Sequence, residues 1–249
     1  MNKIAVFFLF VAAIIPVQVW GDTAYSDGNQ ILSELDRNLE PPSYEMYRKL
    51  INIEPDGKKK EFMLYMVRKG NDKVGGLFLS PASDKGRTLL RLGDNMWLYI
   101  PNVGKPIRIT SLQSATGGVF NNADILRIDF GSEYDVNKME DKGESWLLYA
   151  KAKTRTVAYD RLKIWVEKKS VLPTKIECLT EKALLIKTLY FKETKDFGDG
   201  LVRPSVIETD SPLYRGYKSV LIYVKIQKRE LKDEIFTLPF MSKLETLRK

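Results

Sequence analysis

Arg91-Leu92-Gly93-Asp94-Asn95-Met96-Trp97-Leu98-Tyr99-Ile100-Pro101 decides how this 249-residue chain folds. Gly93-Asp94 between two apolar runs is a hairpin signal, because both residues tolerate the backbone of a two-residue turn. Met96 to Ile100 is apolar at every position, so both faces of that strand need cover. Pro101 to Ile109 then leads into Ser111 to Asn122, which is small, polar and glycine-containing. Such a segment can open and close over one face of the sheet. An apolar wall beside a movable flap suits the sheltering of something greasy from water.

The same strand pattern extends on both sides. Runs at Tyr44 to Ile53, Glu61 to Lys69, Lys73 to Ser80 and Arg87 to Leu92 precede it. Glu144 to Lys151, Ala158 to Glu167, Leu172 to Leu179, Leu184 to Thr194, Leu201 to Thr209 and Lys218 to Lys228 follow. Short turns such as Pro55-Asp56-Gly57 and Phe197-Gly198-Asp199-Gly200 separate them, which predicts an antiparallel meander of ten or eleven strands. Alternation assigns faces. Leu162, Ile164 and Val166 oppose Arg161, Lys163 and Trp165; Val220, Ile222, Val224 and Ile226 oppose Ser219, Leu221, Tyr223 and Lys225; Leu90 and Leu92 oppose Leu89 and Arg91. The aliphatic set is expected to face inward, and covering about a dozen such residues contributes roughly 1.5–3 kcal/mol each.

Helical material is sparse. Ile31, Leu32, Leu35 and Leu39 recur at helical spacing behind a cap at Ser26 or Asp27, and Pro41-Pro42 ends the helix. Part of Ala123 to Phe130 and of Lys232 to Phe236 adds a few turns, with Asn122 as the expected cap of the former. The predicted fold class is therefore mostly β (α+β): a strongly curved, incompletely closed antiparallel barrel with a few helices as lid or plug. A bent sheet over few helices leaves a cavity, and an aliphatic cavity suits acyl chains.

The first residues read as a secretory leader. Lys3 supplies positive charge, Ile4 to Ile15 an apolar run too short to span a bilayer comfortably, and Val19-Trp20-Gly21 a cleavage site. The expected division is a signal peptide over 1–21 and one domain over 22–249, with a periplasmic, soluble product that carries no lipid anchor. The single cysteine, Cys178, cannot pair within the chain and reads as a small buried hydrophobe. That, and the lack of an Asn-x-Ser/Thr sequon, fits a bacterial periplasm. The net charge is +8, or +7 without Lys3. The charges are interspersed and no stacking motif accompanies them, so nucleic acid is not an expected partner.

Chemistry is poorly supplied. With no histidine and one cysteine, histidine-based triads, thiolate zinc sites and imidazole proton shuttles are excluded. Asp196-Phe197-Gly198 lacks the other kinase elements, and Gly75-Gly76 and Gly117-Gly118 are not phosphate loops. Asp129, Glu133 and Asp135 do not have calcium-loop spacing. The expectation is no enzyme, no cofactor and no metal.

Leu92 to Pro101, with Ile107-Arg108-Ile109, Gln113-Ser114 and Asn122-Ala123-Asp124-Ile125-Leu126-Arg127, resembles the outer-membrane lipoprotein-sorting family of LolA-like periplasmic proteins. The likeness extends loosely over the leading helix, the meander and Phe236-Thr237-Leu238-Pro239. It is closest to the branch found beside transporters of the resistance-nodulation-division type. The resemblance implies an open barrel with a hydrophobic cavity for acyl chains, no cofactor, and an arginine on an early strand that holds a lid shut. Arg48 matches that arginine by strand order.

The expected cavity lining is Leu64, Met66, Leu90, Leu92, Met96, Leu98 and Ile100, joined by Leu162, Ile164, Ile222 and Val224. The expected gate spans Ser111 to Phe130, with Gln113, Gly117, Gly118, Phe120, Ile125 and Leu126 as lid residues beside Arg48. The resulting expectation is a carrier of lipid or lipoprotein acyl chains with transient membrane contact and an inner-membrane transporter as partner. The alternative is an adaptor or sensor that docks through an aromatic outer face including Tyr65, Trp165 and Tyr223.

Overall fold

The structure, a computed structural model, describes residues 27–127 and 129–248. The expected leader and its cleavage site lie outside the described residues. Helix α1, Gly28–Leu39, starts at Asp27, whose side chain accepts from the Asn29 backbone N–H. It ends at Glu40, where Pro41 and Pro42 deny further helical hydrogen bonds. Ile31, Leu32, Leu35 and Leu39 are buried on one face, as their spacing requires.

Among the described residues, thirteen strands form one antiparallel sheet. They are β1 (Ser43–Ile53), β2 (Lys59–Lys69), β3 (Lys73–Ser80), β4 (Thr88–Leu92), β5 (Asn95–Tyr99), β6 (Ile107–Ile109), β7 (Tyr134–Asp141), β8 (Ser145–Ala152), β9 (Arg161–Glu167), β10 (Leu172–Leu179), β11 (Leu185–Asp196), β12 (Val202–Asp210) and β13 (Lys218–Lys228). The order is β6-β5-β4-β3-β2-β1-β13-β12-β11-β10-β9-β8-β7. Two meanders are thus fused by the β1–β13 pair, and β6 and β7 are the edges of a strongly curved open barrel. The chain between those edges, residues 110–133, crosses the opening and carries two short helices, α2 (Asn122–Ile125) and α3 (Phe130–Glu133).

The strands beyond the expected eleven are β6 and β7. β6 has three residues, and β7 reads YDVNKMED, too polar to show alternation. Both are edge strands, where one neighbour suffices and polar residues are tolerated.

Two apolar clusters lie on opposite faces. The inner cluster includes the α1 stripe, Leu64, Met66, Met96, Leu162, Ile164, Ile176 and Leu221, with Leu98 packed against it. The outer cluster is built from Tyr65, Val67, Leu77 and Leu90 beneath a C-terminal segment of two 3-10 turns, Asp233–Ile235 and Leu238–Leu247, which contribute Ile235, Met241 and Leu244. Trp97 and Tyr99 pack against this outer cluster too.

That second cluster corrects the assignment of faces. Leu90 belongs to the outer cluster and Leu92 packs against it, while Leu89 and Arg91 face inward. The charge of Arg91 marks its side of β4 as solvent-facing by alternation, but Arg91 is buried, donating to the Leu126 carbonyl and pairing with Glu133. On β13 the inward residues are Leu221, Tyr223 and Ile226, not Ile222 and Val224. Val224 is the extra residue of a bulge: Tyr47 pairs with Lys225 and Arg48 with Tyr223. A bulge reverses the alternation on either side of it. Ile222 is half-buried outside both clusters, and Val224 is exposed. Ile100 lies past the end of β5, where its carbonyl closes a turn with Val103 and Gly104.

Leu244 and Met241 are each 3% exposed against the outer face. Met241→Ala or Leu244→Ala is expected to cost about 2–4 kcal/mol of unfolding free energy, measured by urea titration, because a cavity opens where the segment covers the sheet.

Candidate functional site

The inner face is covered by residues 110–133 rather than by regular packing. Phe120, Ile125, Leu126 and Phe130 project into the inner cluster. The space they leave is small: a cavity of about 40 Å³ lined by Phe120, Phe130, Tyr159, Ile176, Cys178 and Phe191, among others. A site for a drug-sized ligand has roughly 300–1,000 Å³. The interior is therefore apolar but occupied by the lid's own side chains.

Polar side chains of the sheet hold the lid by its backbone. Arg48 of β1 donates from Nη1 to the Ile125 carbonyl at 3.0 Å. Asn52 donates to the carbonyls of Thr116 (3.2 Å) and Gly117 (2.9 Å), and its own Oδ1 accepts from the Ser219 hydroxyl. Ser219 Oγ accepts from the Val119 N–H at 2.9 Å. Arg91 donates to the Leu126 carbonyl and Arg87 to that of Ala115, both at 3.3 Å. Lys187 of β11 donates to the Val119 carbonyl and to Asp124.

Local structure shapes the lid. Asn121, one residue before the expected cap, accepts from the Asp124 N–H, and Asp124 reciprocates, closing a capping box. Asn122 instead ties the loop together: its Nδ2 donates to the Thr110 carbonyl and its Oδ1 accepts from the Ala115 N–H. Gln113 is exposed and accepts from the Thr110 N–H. Gly117 has φ +69°, favoured by glycine; at Gly118 a Cβ would overlap the Asn52 amide.

Beneath the lid lies a charged hub. Glu40, at the end of α1, has a side chain that is 2% exposed. Arg127 of the lid meets it at 2.9 Å, Arg68 at 2.5 Å, Arg203 at 3.5 Å and Arg48 at 3.9 Å. The Tyr44 hydroxyl donates to it as well. Burial alone would raise the Glu40 carboxyl, but Arg127, Arg68, Arg48 and Arg203 together hold it well below the usual carboxylate range. The Arg203 guanidinium also lies 3.9 Å from the Tyr223 ring centroid. Asp129 pairs with Arg68 and Glu133 with Arg91, so the lid's acids neutralise sheet arginines. Cation-binding clusters of carboxylates are not found among the described residues.

Of the residues singled out from sequence, Leu64, Met66, Met96, Leu98, Leu162 and Ile164 share the inner face with Phe120, Ile125 and Leu126 of the lid. Leu90, Leu92, Ile100, Ile222 and Val224 do not. Of the aromatics expected on a docking face, Tyr65 and Tyr223 are buried and Trp165 is half-buried. Asn52, Arg91, Lys187, Ser219 and the Glu40 hub escaped sequence reading. The available signal was a polar residue at an inward position of an aliphatic strand.

An open, curved antiparallel sheet, with one helix in its hollow and a lid joining its edges, defines the LolA-like class of fold. The match to solved structures agrees. A LolA superfamily protein from Nitrosomonas europaea is 27% identical, with 87% of this chain and 100% of that one covered and a TM-score of 0.78. An outer membrane lipoprotein-sorting protein domain from Vibrio parahaemolyticus (20% identical, 86% and 98% covered, TM-score 0.73) and a DUF1329 family protein from Desulfovibrio piger (21%, 86% and 97%, 0.74) share the fold. Among curated proteins none matches in sequence. A family model described as "-like: Uncharacterized protein" matches residues 70–243, more than half of the chain, and the chain belongs to that family, with a LolA-like fold.

Glu40→Ala is expected to destabilise the protein by about 3–5 kcal/mol in urea unfolding, because it leaves buried guanidiniums without their carboxylate. Asp36 gives a pH signature. It accepts from the backbone N–H groups of Phe130 (2.9 Å) and Gly131 (2.8 Å), while burial pushes its carboxyl from 3.8 up to about 7. The folded state then holds this proton more tightly than the unfolded chain, so the stabilisation present at acid pH is lost as pH rises towards 7. Relative to Asp36→Asn, the native protein is expected to lose about 2–3 kcal/mol between pH 5 and 8. A pH-independent difference between the two would contradict this.

Proposed function

We propose that the protein is a periplasmic carrier that shelters acyl chains of a lipid or lipoprotein against the inner face of the sheet and passes them between membrane components. One observation carries this reading. The lid fills an apolar interior with apolar side chains, yet the sheet grips it through individual side-chain hydrogen bonds and ion pairs rather than a strand ladder. Each neutral bond is worth a net of about 0.5–1.5 kcal/mol and each bond from a charged group about 1.5–3 kcal/mol. An acyl chain can take the place of Phe120, Ile125, Leu126 and Phe130 with little loss of buried apolar area. Binding of this kind follows area removed from water and discriminates little between headgroups.

In this reading Arg48 is the latch named by the family resemblance, supported by its bond to Ile125. The chain from residue 22 onward acts as one binding unit after removal of 1–21. No helix among the described residues is long and apolar enough to cross a membrane. No catalytic step, cofactor or metal is part of the mechanism. Handover requires a partner that binds the open state better than the closed one, and a resistance-nodulation-division transporter is the class the resemblance suggests.

The test is uptake of an environment-sensitive fluorescent fatty acid by the intact protein. Saturable uptake is expected, and Asn52→Ala with Ser219→Ala should speed it several-fold by removing lid hydrogen bonds. No uptake, or an uptake rate indifferent to these substitutions, would overturn the carrier reading.

A further inference from the structure

The antiparallel order sends alternate turns to opposite rims of the barrel. One rim carries the β1–β2, β3–β4, β5–β6, β8–β9, β10–β11 and β12–β13 connections. Contacts join its central turns into one surface. Gly86 sits against Pro101, Lys60 Nζ is 3.4 Å from Asp84, and Gly216 sits against Pro55. Beyond them, the Ser211 hydroxyl donates to the Ile186 carbonyl.

This rim differs from the opposite one in two independent ways. With one flanking residue on each side, its six turns hold eleven basic and six acidic residues; the five strand-to-strand turns of the opposite rim hold five and seven. Positive charge is thus concentrated at one end. The same end exposes large apolar side chains: Leu213 (67%), Leu184 (65%), Tyr214, Val103, Ile107 and Tyr217. Isolated exposed hydrophobes need no explanation, but a group of them among lysines and arginines at one end does. Tyrosine at such a position suits a membrane interface, with an apolar ring and a polar tip.

The lid reaches this rim. Its residues 115–119 are held by Arg87, by Asn52 near the end of β1 and by Ser219 near the start of β13. We propose that the rim docks on an anionic lipid bilayer. Leu213, Tyr214, Tyr217, Val103 and Ile107 enter the headgroup layer, while Lys59, Lys85, Lys105, Arg215 and Lys218 face anionic headgroups. Docking then places the tip of the lid against the membrane, where an acyl chain can enter without crossing water. This deepens the carrier reading and rests on it for its purpose, but membrane binding is measured separately.

The experiment is co-sedimentation of the intact protein with vesicles, either phosphatidylglycerol–phosphatidylethanolamine or phosphatidylcholine alone. Each basic side chain at an anionic surface strengthens binding about five-fold. Binding to the anionic vesicles, weakened by salt, is expected. Lys105→Glu/Arg215→Glu/Lys218→Glu should weaken it more than a hundred-fold, and Leu213→Ser/Tyr214→Ser at least ten-fold, with unchanged melting temperatures. The salt and composition series needs no variant and stands if a variant misfolds. Equal binding to both vesicle types, or none, overturns the docking proposal; fatty-acid uptake without vesicle binding overturns it alone and leaves the rim to a protein partner. Vesicle binding without fatty-acid uptake supports docking and overturns only the carrier reading.

Discussion

The apolar hollow of the sheet is the constraint on which the rest depends. Thirteen strands curve around an interior that one twelve-residue helix cannot fill. The outer face of β2 to β5 is solved locally by the C-terminal 3-10 segment. The inner face is solved by the chain that must in any case run from edge strand β6 to edge strand β7. That connection is both covalent closure and cover: its apolar side chains reach into the core while its backbone is pinned by inward-facing side chains of the sheet.

One of these pins, Arg48, also belongs to a buried charge network. Glu40 joins α1 to β1, β2, β12 and the lid through four guanidiniums. Buried ion pairs seldom add much net stability, since desolvation offsets attraction, but removal of one member leaves charges stranded. Arg127 and Asp129 are lid residues, so the network ties the lid to α1 and to the sheet without any strand pairing. The same geometry explains why Arg48 and Arg91, on different strands, meet carbonyls one residue apart at Ile125 and Leu126.

Much of this fold was legible. The α1 stripe at Ile31, Leu32, Leu35 and Leu39, the Gly93-Asp94 hairpin and the alternation of Leu162, Ile164 and Val166 each follow from local chemistry. Legibility failed where local sequence is indifferent. On β4 the charge of Arg91 points alternation to the wrong face, and only the distant lid, which pairs it, and the C-terminal segment, which covers Leu90, decide the orientation. The bulge at Val224 is set by pairing with Tyr47 and Arg48, some 180 positions earlier, and no pattern within β13 announces it. The hub is drawn from positions 40, 48, 68, 127 and 203; Arg48 was singled out through the family resemblance, but nothing local joins it to Glu40, Arg68 and Arg203 until folding collects them. The segment from Ser111 to Phe130 was readable as cover for one face of the sheet; its anchors Asn52, Lys187 and Ser219 were not.

Cys178 offers the most direct measurement. It is the one cysteine of the chain, 1% exposed, and lines the inner cavity beneath the lid; burial pushes its thiol well above the ordinary range. Its alkylation rate under native conditions reports how the hollow opens. If the lid opens on its own, labelling will proceed at a rate nearly insensitive to low urea and will slow when a fatty acid is bound. Labelling that tracks global unfolding at every urea concentration, and ignores the fatty acid, would contradict the account.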